Sequence, residues 1–325
     1  MSTKRQPLYG GQAVIEGVMF GGKHVNVTAI RCKDESIDYY EMTERPIKTP
    51  RWVKKIPLVR GVVGLVEASA VGAKHLNYAT EQYDRDPDAE EPTADEPEEK
   101  SSNWLLVLAV AIVSVLSFIV GKLIFTVVPA ILASLLFDRI VPNEIVNNLL
   151  EGVIKTVLLL GYLYAISRAP LVKRLFQYHG AEHKVINAYE NRVELTASNV
   201  QKFSRLHYRC GSSFIVLSII VGVILYSFFQ YDGSIWTRVY LRILLLPVVI
   251  GLSYEILRLT NAVRDIPILT YLGYPGLWLQ KLTTVEPDDD QVEVAIAAFN
   301  KMRALDEEIE EKLSASSTSS LAHTG

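Results

Sequence analysis

Four runs of apolar residues constrain this chain more than any other feature, because each approaches the length that crosses a bilayer. They lie at Trp104 to Phe137, Val153 to Ile166, Ser213 to Phe229 and Val239 to Leu257. A membrane-crossing helix needs about 20 predominantly apolar residues. The average composition, 49% apolar with a formal net charge of -3, conceals this clustering. The runs predict a mainly α-helical membrane protein with about four transmembrane helices.

The residues before the first run have a different pattern. VIEGVMF, VNVTAIRC and SIDYYEMTE are short, rich in β-branched or aromatic residues, and separated by the turn signals Gly-Gly-Lys and Lys-Asp-Glu. They predict a small N-terminal antiparallel β-sheet. From Trp52 to Thr80, apolar and small residues recur at helical spacing, which predicts an amphipathic helix. This helix lies on the membrane, packs against the spans, or covers the sheet, and the pattern leaves these three alternatives open.

The same patterns divide the chain into seven segments. The apolar run after Trp104 is longer than one crossing, so one span plus a re-entrant or interfacial piece around Lys122 and Pro129 is expected. The acidic, proline-containing stretch DRDPDAEEPTADEPEEK has the composition of a disordered linker. The predicted segments are a cytoplasmic sheet and amphipathic helix (1–80), a disordered linker (81–103), a transmembrane hairpin (104–170), a cytoplasmic histidine-rich segment (171–212), a second transmembrane hairpin (213–260), cytoplasmic helices (261–312) and a disordered tail (313–325).

Lysine and arginine residues in the short loops predict the orientation. The stretch from Arg168 to Arg209 holds eight of them, whereas the predicted loops on the opposite side hold one each, Arg139 and Arg238. Because basic loops stay in the cytoplasm, the histidine-rich segment faces inward and both termini share that side. The chain is thus expected in the cell membrane as a multi-pass protein in contact with membrane lipids. No nucleic-acid motif is present, and no protein partner is indicated.

Acidic residues at two places allow two readings each. Glu151 and Lys155 share one face of the second span, where they form either an interface pair or a pair facing the helix bundle. Asp288 to Asp290 precede an apolar helical pattern. Acids at that position favour a helix N-terminus, and metal binding is the alternative because carboxylates also bind divalent ions.

The histidine-rich segment carries the pattern that points to chemistry. His179, Glu182 and His183 form H-x-x-E-H, in which two histidines one helical turn apart can bind one metal ion. The glutamate between them is placed to act as a general base. His207 and Cys210, three residues apart, are candidates to complete the ligand set. Zinc is the natural choice for imidazole with thiolate, while imidazole and carboxylate alone also suit iron or manganese.

A structural role competes with this reading. Histidines near a membrane surface often serve as interfacial residues, and Cys210 also fits a small buried side chain. The basic residues around them are explained by the orientation rule alone. An alternative for Lys184, Arg205 and Arg209 is contact with an anionic lipid headgroup or a phosphate-bearing substrate. With only two cysteines, Cys32 and Cys210, no disulfide framework is predicted.

Four blocks of the sequence together resemble the YqhQ-like family of bacterial membrane proteins, also called domain of unknown function 1385. They are GGQAVIEGVMF, HGAEHKVINAYE with FSRLHYRCGSSF, LLLPVVIGLSYEILRL, and PGLWLQKLTTVEPDDDQVEVAIAAF. The resemblance implies a bacterial inner-membrane protein that is predicted to be a metal-dependent enzyme, without a defined substrate. Its histidine block maps onto His179, Glu182, His183, His207 and Cys210. The chain departs from the family pattern around GVMFGGKH, which affects any role of Met19 or Phe20.

These observations favour a metal-dependent, hydrolase-like enzyme at the cytoplasmic face of the membrane. In this hypothesis His179, His183, His207 and Cys210 bind a divalent ion, and Glu182 acts as general base. Its substrate would be lipid-linked or amphipathic. The alternative is a non-catalytic scaffold or transporter in which the metal only stabilises the segment from Tyr178 to Ser212.

Overall fold

A computed structural model describes residues 9–43, 47, 49–50, 52–84, 124–125, 127–137, 139–141, 143–229, 235–263 and 266–322 of the chain. The chain divides into two compact units. The first comprises Met1–Arg85, Tyr164–Leu217 and Gly251–Gly325, and the second comprises Asp86–Leu163 and Ser218–Ile250. The expected fold class is confirmed at this level, because the structure is mainly helical with a small N-terminal antiparallel sheet.

The sheet has four strands in the order β1-β2-β3-β4, all antiparallel. They are β1 (Gly10–Val14), β2 (Gly17–Gly21), β3 (Asn26–Arg31) and β4 (Ile37–Met42). The segment VIEGVMF, expected to be one strand, is instead divided by a two-residue turn at Ile15 and Glu16, with Val14 opposite Gly17. Glu16 has a φ of 52°, and such positive values occur at tight hairpin turns.

Nine α-helices are present among the described residues. They are α1 (Val59–Asp84), α2 (Val127–Phe137), α3 (Glu144–Ile166), α4 (Pro170–Glu190), α5 (Ala197–Val200), α6 (Ser212–Tyr226), α7 (Ile235–Ala262), α8 (Tyr274–Thr283) and α9 (Asp289–Ala322). Pro170 suits the first position of α4, because proline there loses no helical hydrogen bond. Helix α9 begins at the acidic cluster, and Gln291 accepts a hydrogen bond from the Asp288 N–H, as a capping interaction does.

Within the first unit the sheet is covered on both faces. Helices α4 and α9 contribute Tyr178, Val185 and Phe299 to the main core, together with Phe20 and Val27 of the sheet. Helix α1 packs Ala79 against Val14 and Ile30 in a second, smaller core. The amphipathic helix expected after Trp52 therefore covers the sheet along its C-terminal half.

The loop between β2 and β3 binds a carboxylate of α9. The backbone N–H groups of Lys23, His24 and Val25 all donate to Asp306, at 2.6, 2.8 and 3.2 Å. A Cβ atom on Gly22 would lie 2.4 Å from Asp306 Oδ2, so only glycine allows this approach. The GGKH stretch thus fixes the hairpin to α9.

The second unit contains a buried ion pair. Arg242 of α7 pairs with Glu151 of α3, and both side chains are less than a tenth exposed. The Arg242 guanidinium also lies over the Tyr226 ring, 5.5 Å from its centroid. This geometry supports the interpretation in which Glu151 faces other helices of the bundle, and not the one in which it lies at the membrane interface.

Two described helices are long and apolar enough to cross a membrane, by length and composition alone: Ile145–Ile166 and Val239–Ala262. The apolar stretches of α2 and α6, Val127–Phe137 and Ser212–Tyr226, are shorter. Most of the first predicted span, residues 104–123, lies outside the described residues. The structure therefore supports membrane association and leaves four spans as a prediction.

The two segments expected to be disordered compare differently with the structure. Most of the linker, residues 85–103, lies outside the described residues. By contrast, the backbone from Leu313 to Ala322 continues α9, where a disordered tail was expected. A helix already formed adds each further residue at little cost, so a serine- and alanine-rich extension can continue it.

Candidate metal centre

Helix α4 presents two histidines to the same place. The H-x-x-E-H pattern lies on its C-terminal half, where Gly180 to Ile186 are all buried. His179 and His183 are one turn apart, and their ring centroids are separated by 4.4 Å. The helical spacing expected from the sequence is thus observed.

Cys210 reaches the two histidines from the loop before α6. Its Sγ atom lies 3.2 Å from Nε2 of His179. One potential ligand atom from each of His179, His183 and Cys210 falls within 4.8 Å of the others. Two imidazoles and a thiol at such spacing form a donor set suited to zinc, with a position open for water or substrate.

The outer nitrogens of both imidazoles are held by backbone carbonyls. His179 Nδ1 lies 2.7 Å from the Thr283 oxygen, and His183 Nδ1 lies 2.6 Å from the Arg205 oxygen. A carbonyl only accepts hydrogen bonds, so each Nδ1 carries a proton, and in the neutral ring the lone pair is then on Nε2. His183 Nε2 is buried without a hydrogen-bond partner among the described residues. This arrangement is typical of histidines that bind metal ions.

Burial keeps His183 in the state that binds metal. It lowers the pKa of the imidazole, and the adjacent Cys210 only partly opposes this shift. The ring is therefore neutral at physiological pH, which metal binding through nitrogen requires.

Glu182 lies beside the cluster and is only 5% exposed. Burial raises the pKa of its carboxyl, while the nearby His179 and His207 oppose the shift. The nearby backbone N–H of Gly11 on β1 also opposes the shift. A Cβ atom on Gly11 would lie 3.0 Å from Glu182 Cδ and 2.5 Å from the Met19 oxygen, so glycine is needed here.

His207 borders the cluster but lies outside the group of three ligands. Its ring centroid is 5.7 Å from that of His183, and its Nε2 lies 3.7 Å from Glu190. Gln280 of α8 fixes its backbone, because the amide side chain bonds both the N–H and the carbonyl of His207 at 2.8 Å. Of the four predicted ligands, the structure brings three together and places the fourth next to them.

The three basic residues proposed for anion contact all have acidic neighbours. Lys184 and Arg205 pair with Glu286, at 2.8 and 3.3 Å, and Arg209 pairs with Glu190. Arg205 also donates to the Thr284 hydroxyl at 2.9 Å. Their contact with a lipid headgroup or phosphate stays a prediction.

The segment between α8 and α9 crosses α4 at Gly180. The Val285 N–H donates to the Phe176 oxygen at 2.9 Å, and a Cβ atom on Gly180 would lie 2.2 Å from the Val285 oxygen. The glycine within H-x-x-E-H thus allows the close approach that delivers the Thr283 carbonyl to His179.

A cavity of about 380 Å³ opens beside the cluster. Strand β1 borders it on one side, and α4 and the Cys210 loop border it on the other. Its lining residues are Tyr9, Gly10, Gly11, Gln12, Ala13, Leu175, Phe176, His179, Glu182, Ile186, His207, Arg209, Cys210, Gly211 and Ser212.

Sequence reasoning missed the supporting residues of this site. Gly11 lies against Glu182, Gln280 bonds the His207 backbone, and Thr283 bonds His179. None of the three has a side chain that suggests metal chemistry. The available signal was their position inside the blocks GGQAVIEGVMF and PGLWLQKLTTVEP, which lie far from the histidines along the chain.

A helical protein with a small sheet and a buried histidine–cysteine cluster is the class that the fold and the site define. The chain belongs to the family described as protein of unknown function (DUF1385), which matches residues 56–305. It is 53% identical over 303 residues to the uncharacterized protein YqhQ of Bacillus subtilis (strain 168), covering 93% of this chain and 94% of that protein. No solved structure matches the chain significantly.

Proposed function

We propose that this protein is a metal-dependent, hydrolase-like enzyme whose site lies at the cytoplasmic face of the membrane. The observation that carries the proposal is the fixed orientation of two imidazoles. Both Nδ1 atoms are bound to backbone carbonyls, which directs both Nε2 atoms toward the Cys210 thiol. A packing role alone does not require two histidines to keep unprotonated nitrogens beside a thiol.

In this proposal His179, His183 and Cys210 hold one divalent ion, and zinc suits them because thiolate is a soft ligand. A bound zinc ion supplies Lewis acidity and lowers the pKa of water. Glu182 accepts a proton from the attacking water, since its carboxylate borders the same cavity and lies against Gly11 of β1. His207 remains the candidate for a fourth ligand or for a hydrogen bond to substrate.

The proposed membrane arrangement has four spans with both termini in the cytoplasm. It is supported by the two long apolar helices, the two shorter ones, and the basic residues of 168–209. A surface following α7 adds support: Ile268, Tyr271 and Trp278 are 78%, 61% and 64% exposed. Aromatic and aliphatic side chains exposed this way suit the interface between lipid and water.

The substrate would be an amphipathic molecule reached from that interface. Of the three basic residues, Arg209 borders the cavity and is placed to contact an anionic group of the substrate. Lys184 and Arg205 lie outside the cavity lining, and their acidic neighbour Glu286 is largely exposed.

Metal content of the detergent-purified protein tests the proposal. Mass spectrometry should find about one equivalent of transition metal, lost in the double substitution His179→Ala, His183→Ala. The substitution His24→Ala is the matched control, because His24 lies on the hairpin bound to α9, apart from the cluster. Protein that is empty under metal-replete, chelator-free conditions would contradict the proposal.

A structural metal site within a non-catalytic scaffold or transporter is the second candidate. The observation in its favour is that Cys210 belongs to a loop, so an ion would join this loop to α4. The substitution Glu182→Gln separates the two functions. An enzyme would keep its metal and lose turnover in a substrate screen, whereas a scaffold has no turnover to lose.

A further inference from the structure

Strand β1 is an edge strand. It pairs with β2 on one side, and no described strand pairs with its other side. An edge strand presents a row of backbone donors and acceptors that another extended chain can pair with. The unpaired edge of β1 borders the cavity of the candidate metal centre, so an extended chain in this cavity would lie beside it.

The register determines which residues direct their backbone groups away from β2. Val14 and Gly17 flank the two-residue turn, so they form a hydrogen-bonded pair, as do Gln12 with Met19 and Gly10 with Gly21. The residues between them, Gly11 and Ala13, must point their N–H and C=O groups outward. Gly11 and Ala13 both line the cavity beside this edge, which agrees with the assignment.

The outward groups have room for a partner. Gly10, Gly11, Gln12 and Ala13 all line the cavity, and two of them are glycines without side chains to obstruct an incoming chain. Among the described residues, no hydrogen bond to the Ala13 N–H or to the Gly11 carbonyl is found. One donor and one acceptor of the strand edge thus remain available within the same cavity as Glu182.

We propose that the substrate is an extended polypeptide segment that binds along β1 as a fifth strand of the sheet. Strand addition recognises the main chain of a peptide, and it uses the unpaired donor and acceptor that Ala13 and Gly11 offer. An acyl chain has no groups that pair with them. The inference rests on the proposed function for its chemistry and names the substrate class of that site.

Cleavage of such a segment follows from the placement of Glu182. The water oxygen forms a new bond to the peptide carbonyl carbon, and the C–N bond breaks. Glu182 takes one proton from the water and passes it to the departing amine nitrogen. The second water proton leaves the new carboxyl group for the amine, so the products are one carboxylate and one ammonium group, and no reactant besides one water molecule is needed.

Hydrogen exchange measured by mass spectrometry tests the binding step. The probe is β-casein, an unfolded polypeptide, added to the detergent-purified full chain carrying Glu182→Gln so that no cleavage competes. Casein should slow exchange of the outward Ala13 amide of β1 at least tenfold and leave β4, the opposite edge of the sheet, unchanged. Unchanged exchange at 10–14 with saturating casein would overturn the proposal.

A substitution provides a second readout by fluorescence anisotropy of labelled casein. Ala13→Pro removes the outward N–H and should weaken binding at least tenfold, whereas Ala13→Ser keeps that N–H and should bind normally. Equal affinity of the two variants would contradict strand addition, as would protection of β1 by phosphatidylglycerol vesicles in place of casein. Casein binding by a protein without metal would refute the proposed enzyme and leave the strand-addition site standing.

Discussion

The Val285 carbonyl oxygen occupies the place that a side chain at position 180 would need. A Cβ atom on Gly180 would lie 2.2 Å from that oxygen, which is well inside contact distance. The same backbone segment supplies the Thr283 carbonyl to His179 Nδ1. Position 180 and the orientation of a candidate metal ligand are thus linked through Thr283 at the end of α8 and Val285 just after it.

Substitution of Gly180 by alanine should therefore weaken metal binding. The methyl group would displace Val285 and with it the Thr283 carbonyl, and loss of such a contact typically reduces metal affinity by about 10- to 100-fold. Zinc affinity measured by competition with a chromophoric chelator checks this. Gly161→Ala is the control, since a Cβ atom there meets nothing within 4 Å. Equal affinities of the two variants would contradict the link.

Asp306→Asn should destabilise the first unit. The carboxylate accepts three backbone hydrogen bonds from the β2–β3 loop, and the amide cannot accept all of them equally well. We expect a loss of roughly 2 to 4 kcal/mol in the free energy of unfolding, because buried hydrogen bonds to charged groups are the strong ones. Thermal unfolding in detergent measures it. Glu307→Gln is the control, since this exposed neighbour forms an ion pair with the half-buried Arg303 and its loss should change little.

His75 should make stability depend on pH. Burial lowers its pKa to about 4, from an ordinary value of 6.5. Between these pH values the unfolded chain binds more protons than the folded chain. The stability that the neutral, buried His75 contributes is therefore complete above pH 6.5 and is lost as the pH falls toward 4. From pH 7 to pH 5 the loss should be about 2 kcal/mol.

The substitution His75→Gln isolates this effect. Glutamine offers a hydrogen-bond partner to Thr28, whose hydroxyl lies 2.6 Å from His75 Nδ1, but it does not titrate. The difference in unfolding free energy between the two proteins should shrink as the pH is lowered from 7 to 5. A constant difference would show that His75 is not buried in its neutral form.

The Glu151–Arg242 pair should respond differently to single and double substitution. Removing one partner leaves a buried charge uncompensated, which costs about 3 to 5 kcal/mol. Glu151→Leu or Arg242→Met alone should therefore lower the unfolding temperature strongly, and the two together should recover most of the loss. A double variant as unstable as the sum of the single ones would exclude direct coupling.

The local structure could be predicted from the sequence where the apolar residues follow a single period, that of a strand or that of a helix. The three β-branched segments became a sheet, and H-x-x-E-H is helical as expected. The division of VIEGVMF was missed because Ile15 and Glu16 are poor turn residues by composition. Their conformation is imposed by the pairing of β1 with β2.

The candidate site was predictable only where its chemistry lies in side chains. His179, His183 and Cys210 were identifiable because imidazoles and thiols have few roles at such spacing. By contrast, Gly11 and Thr283 act through backbone groups, and only folding reveals where a backbone group points. Arg205 acts through both its backbone and its side chain. Its carbonyl orients His183, and its guanidinium donates a hydrogen bond to Thr284.

The carbonyl that orients His179 belongs to a residue 104 positions later in the chain. During synthesis His179 and His183 leave the ribosome first, then Cys210, and Thr283 follows only after α6 and α7. A nascent chain therefore possesses its ligands long before it can hold them in register. If the proposed ion binds here, its loading would therefore show that the apolar helices α6 and α7 have been synthesised and that the end of α8 has packed against α4.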